Sequence, residues 1–192
     1  CILILGMCLV LLVPFILRKS LWGPTVITAV TLLFAWLAVL LLTYPDFNKD
    51  TYGPVFFNSL MIDPFSQIFK VILFMFTLLV ILQWLLTSAG EVDVLDVPDF
   101  MCLLLGATTG MALMASANNL LMVVVAMETA SLPSFVLAGF RKSHRTGSES
   151  SLKYVLFGAA SSAIMIYGMS LIYGSTGSLV LADVAAVAGS NM

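Results

Sequence analysis

The chain has 192 residues, of which 61% are hydrophobic and only 9% are charged, and its formal net charge is −2. A soluble domain carries about a quarter charged residues, so this composition excludes an ordinary water-soluble fold. The small net charge, with basic residues confined to short loops, also argues against a nucleic-acid partner. The composition predicts an all-α membrane protein whose helices cross the lipid bilayer several times.

The apolar segments are long enough for about six transmembrane helices. A helix needs roughly 20 apolar residues to cross the hydrocarbon core. In chain order the predicted spans are Cys1–Leu17, Pro24–Thr43, Pro64–Ser88, Pro98–Ala115, Leu120–Phe140 and Leu152–Gly174. Leu179–Ala188 is apolar but too short to span, so an interfacial helix and the foot of a seventh span both stay open.

Prolines mark three of the predicted helix starts. Pro24, Pro64 and Pro98 each fall in the first turn of a span, where the missing N–H costs nothing. Asp63, directly before Pro64, has the side chain of a helix cap. We therefore expect the second, third and fourth helices to begin at these residues.

The fourth and fifth spans are predicted to be antiparallel neighbours. Asn118 and Asn119 favour a tight turn between them, so the connecting link is very short. Gly106 and Gly110, four residues apart in the fourth span, form a pair of small residues that allows another helix to approach closely.

The basic residues of two loops predict the orientation of the bundle. Arg18 and Lys19 follow the first span, and Arg141, Lys142 and Arg145 follow the fifth. Short loops rich in lysine and arginine stay on the inner side of a membrane. With six spans, this places the N terminus outside.

Glu128 lies near the middle of the fifth span, and it is the strongest candidate for functional chemistry. A charged carboxyl group at that depth costs about 2.5–3.5 kcal/mol, so the side chain should face protein or a hydrated cavity. Such an acid can act as a proton relay, or it can simply fasten two helices by a hydrogen bond. Pro133, five residues later, frees a backbone carbonyl near Glu128 and should bend the helix or admit water.

Lys153 lies at the start of the sixth span, where a lysine commonly extends its ammonium group to the interface. Glu149, four residues earlier, is spaced to form a surface ion pair with it. Asp63 and Lys70, near the start of the third span, are interpreted as a helix cap and an interfacial anchor. From the residues alone, Lys153 is thus an ordinary anchor or a functional cation.

The sequence contains no recognisable catalytic motif of its own. The cysteines Cys1, Cys8 and Cys102 form no CxxC pair, and His144 has no neighbour at the spacing of a metal site. A glycine-rich phosphate loop and a Ser/His/Asp set are also missing from the sequence. We therefore expect no bound metal or cofactor, and no enzyme that works alone.

The second half of the chain carries motifs of a known family. In order, they are NNLL from Asn118, METASLP from Met127, ESSLKY from Glu149, GAASS from Gly158 and YGSTG from Tyr173. Together they resemble the antiporter-like membrane subunits of respiratory complex I (NADH:quinone oxidoreductase), most of all the NuoN type. Residues 1–117 are similar to the family in the number and orientation of their spans.

The resemblance implies a membrane-arm subunit that moves protons in a bacterial plasma membrane or a mitochondrial inner membrane. Glu128 matches the glutamate of the family's fifth helix, and Lys153 matches the lysine of its sixth helix; both belong to the family's proton relay. NADH, FMN, the iron–sulfur clusters and quinone would bind elsewhere in the complex. The implied partners are the other complex I membrane subunits and the lipid bilayer.

Family members have many more helices than this chain, and the seventh-helix lysine that pairs with the glutamate lies beyond its end. We therefore expect a four-helix membrane region at 1–117 and the start of the antiporter-like domain at 118–192. The remaining helices would belong to a second chain, or the chain is truncated or incompletely recorded. Two other interpretations stay open: a subunit of a cation/proton antiporter or membrane-bound hydrogenase, and a structural assembly remnant.

Overall fold

The computed structural model describes residues 2–16, 22–43, 53–87, 96–140 and 145–190. Within these ranges the chain forms helices and one short β-hairpin. The elements are α1 Ile2–Ile16, α2 Trp22–Thr43, β1 Gly53–Val55, β2 Leu60–Ile62, α3 Pro64–Thr87, α4 Val97–Met114, α5 Leu120–Ala138, α6 Arg145–Thr176 and α7 Leu181–Ser190. Eight residues named above lie outside the described ranges: Cys1, Leu17, Arg18, Lys19, Ser88, Arg141, Lys142 and His144.

The prediction of an all-α, polytopic membrane bundle is confirmed. In the described part of the chain, α2 to α6 each contain a segment long and apolar enough to cross a membrane. The first predicted span corresponds to α1, which is apolar but only 15 residues long over the described residues. Five of the six predicted spans are therefore long enough to cross a membrane in the described part of the chain, and α1 occupies the position of the first.

The helix starts predicted from proline are also confirmed. Pro64 is the first residue of α3, Pro98 is the second of α4, and Pro24 is the third of α2. Asp63 caps α3, since its Oδ1 accepts the backbone N–H of Ser66 at 2.8 Å. The Ser66 hydroxyl also donates to the Asp63 carbonyl at 3.0 Å, so both the N–H and the hydroxyl of Ser66 bond to Asp63 at this helix end.

Helix α4 is the centre of the bundle and contacts α1, α2, α3 and α5. Its Met101 and Leu105 side chains are fully buried. Thr108 is fully buried too, and its hydroxyl lies 3.3 Å from that of Thr77 on α3, which gives a hydrogen bond between the two helices. The buried core around α4 consists of Leu3, Val10, Leu32, Ala35, Val39, Phe74, Ile81, Trp84, Val97, Met101 and Leu105.

A small β-structure joins the helix ends on one side of the bundle. The antiparallel hairpin β1–β2 precedes α3, and the Met61 N–H of β2 donates to the Ser116 carbonyl in the α4–α5 link at 2.8 Å. The same link is tied to the segment between α6 and α7, where the Leu120 N–H donates to the Leu179 carbonyl at 2.9 Å. These bonds fix the start of α5 relative to the start of α3 and the C-terminal end of α6.

Helix α6 is longer than predicted, because it begins at Arg145 rather than at Leu152. The additional turns are polar, so the apolar pattern used to locate the span did not reveal them. The helix ends at Thr176, just before Gly177, whose φ of 70° lies in the left-handed region that favours glycine. The short apolar segment after it forms the separate ten-residue helix α7.

Candidate functional site

The two glycines of α4 hold the helix that carries Glu128. A Cβ atom added at Gly110 would overlap the Ala130 backbone nitrogen and lie 2.7 Å from the Ala130 Cα and from the Thr129 carbonyl carbon. At Gly106 it would lie 3.1 Å from Cγ of Pro133. The later glycine of α4 contacts the earlier residues of α5, and the earlier glycine contacts the later one. The two helices are therefore antiparallel and in close contact, as the sequence predicted.

Pro133 fills the space that Gly106 leaves open, while α5 continues as a helix to Ala138. Because proline has no N–H, the Thr129 carbonyl four residues earlier lacks its usual intrahelical donor. Thr129 directly follows Glu128. A backbone acceptor without its helical donor therefore lies next to the acid.

Helix α6 packs against α5 through Phe135. The Phe135 ring lies edge-on to the Tyr154 ring, with centroids 4.8 Å apart. It also occupies the space where a side chain at Gly158 would be. The Ser151 hydroxyl donates to the Phe135 carbonyl at 2.8 Å, and a Cβ at Gly139 would lie 2.6 Å from that of Ser151. These contacts set an antiparallel register between α5 and α6.

Glu128 lies on the face of α5 that is turned toward α6. It precedes Phe135 by two helical turns on the same face, about 10 Å along the axis. The antiparallel register places it about level with Ser161 and Ser162 of α6. Its side chain is partly buried, and its Oε1 atom is buried without a hydrogen-bond partner in the described part of the chain. A buried carboxyl oxygen in that state requires a proton, a cation or a donor from elsewhere.

Lys153 lies at the level of Phe135 and does not meet Glu128. Its ammonium group forms an ion pair with Glu149 at 2.6 Å, which confirms the spacing argument from the sequence. Both side chains are exposed in this chain, by 66% and 60% respectively. The register leaves about two turns of helix between the two predicted relay residues.

A cavity of about 590 Å³ lies between α3, α4 and α5, beside the Glu128 level. On α5 it is lined by residues on either side of Glu128 in sequence, including Met127 and Ser131, but the Glu128 side chain does not line it. Its polar wall includes Asp63, Ser116 and Asn118. Sequence reasoning did not identify Ser116 as a cavity residue; its only signal was its position just before the predicted turn.

The other titratable groups form no second cluster among the residues that the structure describes. No group of three or more His, Cys, Asp or Glu side chains there could hold a metal ion. Cys8 is exposed, Cys102 is partly buried, and both are free thiols. Glu128 on α5 and Lys153 on the neighbouring helix α6 remain the two predicted relay residues of the candidate site.

The fold and the site define a class of protein: antiporter-like membrane subunits. The family described as "NADH:quinone oxidoreductase/Mrp antiporter, TM" matches residues 117–192. This stretch contains α5, α6 and α7, and therefore Glu128 and Lys153.

Individual relatives narrow this class. The chain is 35% identical over 185 residues to NADH-quinone oxidoreductase subunit N 2 of Rhizobium meliloti, covering 94% of this chain and 36% of that protein. A chain of respiratory complex I from Thermus thermophilus matches with a TM-score of 0.74 at 34% identity, covering 94% of this chain and 37% of that chain. The chain thus belongs to the antiporter-like family of complex I membrane subunits and is similar to the subunit N type.

A third match shows the breadth of the fold. A chain of an archaeal membrane-bound sulfane sulfur reductase superposes with a TM-score of 0.69 at 21% identity, over 96% of this chain and 38% of that chain. In each of these comparisons, the chain spans little more than a third of the matched protein. The family resemblance inferred from the sequence is confirmed, and the chain is an integral membrane protein.

Proposed function

We propose that this chain forms the first part of a proton-translocating membrane-arm subunit of an NADH:quinone oxidoreductase, with Glu128 as a proton carrier. The observation that carries the proposal is the buried Oε1 atom of Glu128 in a membrane-spanning helix, which has no hydrogen-bond partner in the part of the chain that the structure describes. Intramembrane acids are costly, and they commonly mark proton or ion paths.

The chemistry required of Glu128 is a single reversible protonation. Its carboxylate takes up one proton from one side and becomes a neutral acid, then releases that proton toward the other side. A charge that approaches a carboxyl group favours one of its two protonation states over the other, so a change of charge nearby can drive the exchange. The carboxyl oxygen that lacks a partner is free to bind the incoming proton or a water molecule that carries it.

The surroundings of α5 support a fixed position for this carrier. Gly110 lets the α4 backbone contact α5 directly at Thr129 and Ala130, immediately after Glu128. Hydrogen bonds of the α4–α5 link to the hairpin and to the α6–α7 segment hold the start of the same helix. A carrier on a rigid helix keeps a constant distance to its donor and acceptor, as efficient proton transfer requires.

Lys153 is proposed as the second charge of the relay. Charges on neighbouring helices about two turns apart still interact, because the interior of a membrane bundle screens them less than water does. The two groups therefore influence each other without direct contact. The Ser161 and Ser162 hydroxyl groups of α6 lie about level with Glu128 and suit the start of a chain of water molecules that would carry the proton toward Lys153.

Redox chemistry is assigned to other subunits. NADH, FMN, the iron–sulfur clusters and quinone are proposed to bind elsewhere in the complex. The proposed partners are other complex I membrane subunits, which could include a second chain that carries the remaining helices. The division into 1–117 and 118–192 stays a prediction, and α4 contacts helices on both sides of it.

A second candidate function is a subunit of a related cation/proton antiporter or membrane-bound hydrogenase. The matching family includes Mrp antiporters by its own description, and the archaeal reductase shares the fold. Purification of the chain with its native partners separates the candidates. Copurification of subunits that oxidise NADH supports the first, and their absence supports the second.

The proton-carrier role is tested by Glu128→Gln in the intact complex, reconstituted in liposomes. We expect proton translocation per NADH oxidised to fall to a small fraction of the wild-type value. Asp183→Asn is a matched control, because it also removes one acid but lies on an exposed position of α7. Normal proton translocation in Glu128→Gln would contradict the proton-carrier role. It would leave the chain with a structural role only, as an assembly remnant.

A further inference from the structure

Lys70 is an ionisable residue of a spanning helix that the relay does not use. It is half-buried and lies six residues after the start of α3. Its ammonium group is attracted by the Asp63 carboxylate, but it forms no hydrogen bond or salt bridge within the described ranges. A cation in a membrane helix that lacks a bonded partner requires an anion or water from outside the chain.

Lys70 lines a cavity of about 360 Å³ bounded by α1, α2, α3, α4 and β2. This cavity is separate from the one beside α5, although Ser116 contributes to both. Its walls are otherwise largely hydrocarbon, and two of its apolar residues, Ile2 and Ile4, are exposed on the outer surface of the chain. The cavity therefore opens toward the surroundings of the bundle.

Ser116 provides a second, independent sign of a missing ligand. Ser116 is only 7% exposed and lines the cavity, and its hydroxyl oxygen is buried without a hydrogen-bond partner among the described residues. Gln67, one turn before Lys70, is 3% exposed and has an Oε1 atom in the same state. Gln67 does not line the cavity, whereas Ser116 does, and buried polar atoms normally have partners. The Ser116 hydroxyl therefore calls for a group that the described part of the chain does not supply.

The depth of Lys70 fits the phosphate level of a bilayer. Its Cα lies about 8 Å from the middle of the 24-residue helix α3, and a hydrocarbon core of about 30 Å ends roughly 7 Å further out. Lysine side chains lean toward the helix N terminus and extend their ammonium group to the interface. The charged group therefore reaches the boundary between acyl chains and head groups.

We propose that this cavity binds one anionic phospholipid. The phosphate would receive hydrogen bonds from the Lys70 ammonium and the Ser116 hydroxyl, and an acyl chain would lie along walls that include Leu3, Val39 and Phe74. Water could satisfy the polar end of the cavity, but it would not fill the hydrocarbon part, because apolar cavities stay dry. Basic pockets between membrane helices select anionic head groups by charge.

The experiment uses a phosphatidylglycerol with a photoreactive group in one acyl chain, added to the intact complex in phosphatidylcholine nanodiscs. We expect cross-links to map to the cavity-lining parts of α1 and α2. Lys70→Gln should lower their yield about fivefold, and Lys70→Arg should retain it, because one basic residue at a membrane surface contributes that much to anionic lipid binding.

A second variant separates the cavity from the charge. Ala38→Phe adds a ring to the cavity wall and keeps Lys70, so it should also abolish the cross-links in a complex that assembles normally by size-exclusion chromatography. Equal labelling by a photoreactive phosphatidylcholine would overturn the proposal, as would unchanged labelling in Lys70→Gln or Ala38→Phe. Competition by inorganic phosphate would identify a small-anion site instead.

Discussion

Gly110→Ala adds one methyl group at the point where α4 lies directly against the backbone of α5. The new Cβ would lie 2.7 Å from the Ala130 Cα, whereas ordinary contact begins at 3.4 Å, so the helices must separate by about 0.7 Å or more. The obstacle is backbone rather than a flexible side chain, and local adjustment cannot remove it. Forcing an extra group into a tight contact costs about 1–3 kcal/mol.

Gly168→Ala is the matched control, because a Cβ at Gly168 would have no atom within 4 Å. Both substitutions gain the same helix propensity of about 1 kcal/mol, so their difference isolates the packing cost. We expect Gly110→Ala to be less stable than Gly168→Ala by about 1–3 kcal/mol. Unfolding of the protein in detergent micelles, followed by circular dichroism, measures the difference.

The same substitution should disturb the proton relay. Gly110 contacts the residues directly after Glu128, so a shift of α5 moves the carboxyl group relative to α6. Proton translocation should therefore fall in Gly110→Ala and stay normal in Gly168→Ala. Equal stability of the two variants would refute the close packing of α4 on α5 and the register derived from it.

Three further predictions concern hydrogen bonds and charges. Thr108→Val should lower the free energy of unfolding in micelles by about 0.5–1.5 kcal/mol, because the buried Thr108 hydroxyl bonds to α3. Thr109→Val should lower it by less, because the Thr109 hydroxyl bonds only within α4. Asn119→Ala should cost about 1 kcal/mol by removing the cap of α5, and Asn119→Asp should retain that stability. Glu149→Gln should change stability by less than about 1 kcal/mol because its ion pair is exposed, and proton translocation should fall in Lys153→Gln but persist in Glu149→Gln. Equal losses within either of the first two pairs, or full translocation in Lys153→Gln, would contradict these assignments.

Local chemistry made the helix boundaries predictable. A proline in the first turn and an aspartate before it depend on few residues, so Pro64 and Asp63 located the start of α3 correctly. The hairpin before α3 could not be anticipated in this way. Its turn places Phe56, Phe57 and Asn58 at φ values of 57°, 54° and 65°, a conformation that phenylalanine rarely adopts and that tertiary contacts must hold.

The candidate site was predictable in identity but not in geometry. The depth of Glu128 in an apolar segment already indicated its importance. Its separation from Lys153 depends on how α5 and α6 are aligned, and that alignment comes from the Phe135–Gly158 and Gly139–Ser151 contacts between distant parts of the chain. No pattern within a single helix encodes such a register.

The central claim is that Glu128 gains and loses a proton during turnover. Infrared difference spectroscopy of the intact complex, recorded as NADH is added, detects changes in the carbonyl stretch of protonated carboxyl groups. We predict a carboxyl band that appears in the wild type and in Glu149→Gln and is lost in Glu128→Gln. An unchanged set of carboxyl bands in Glu128→Gln would contradict the proton-carrier role.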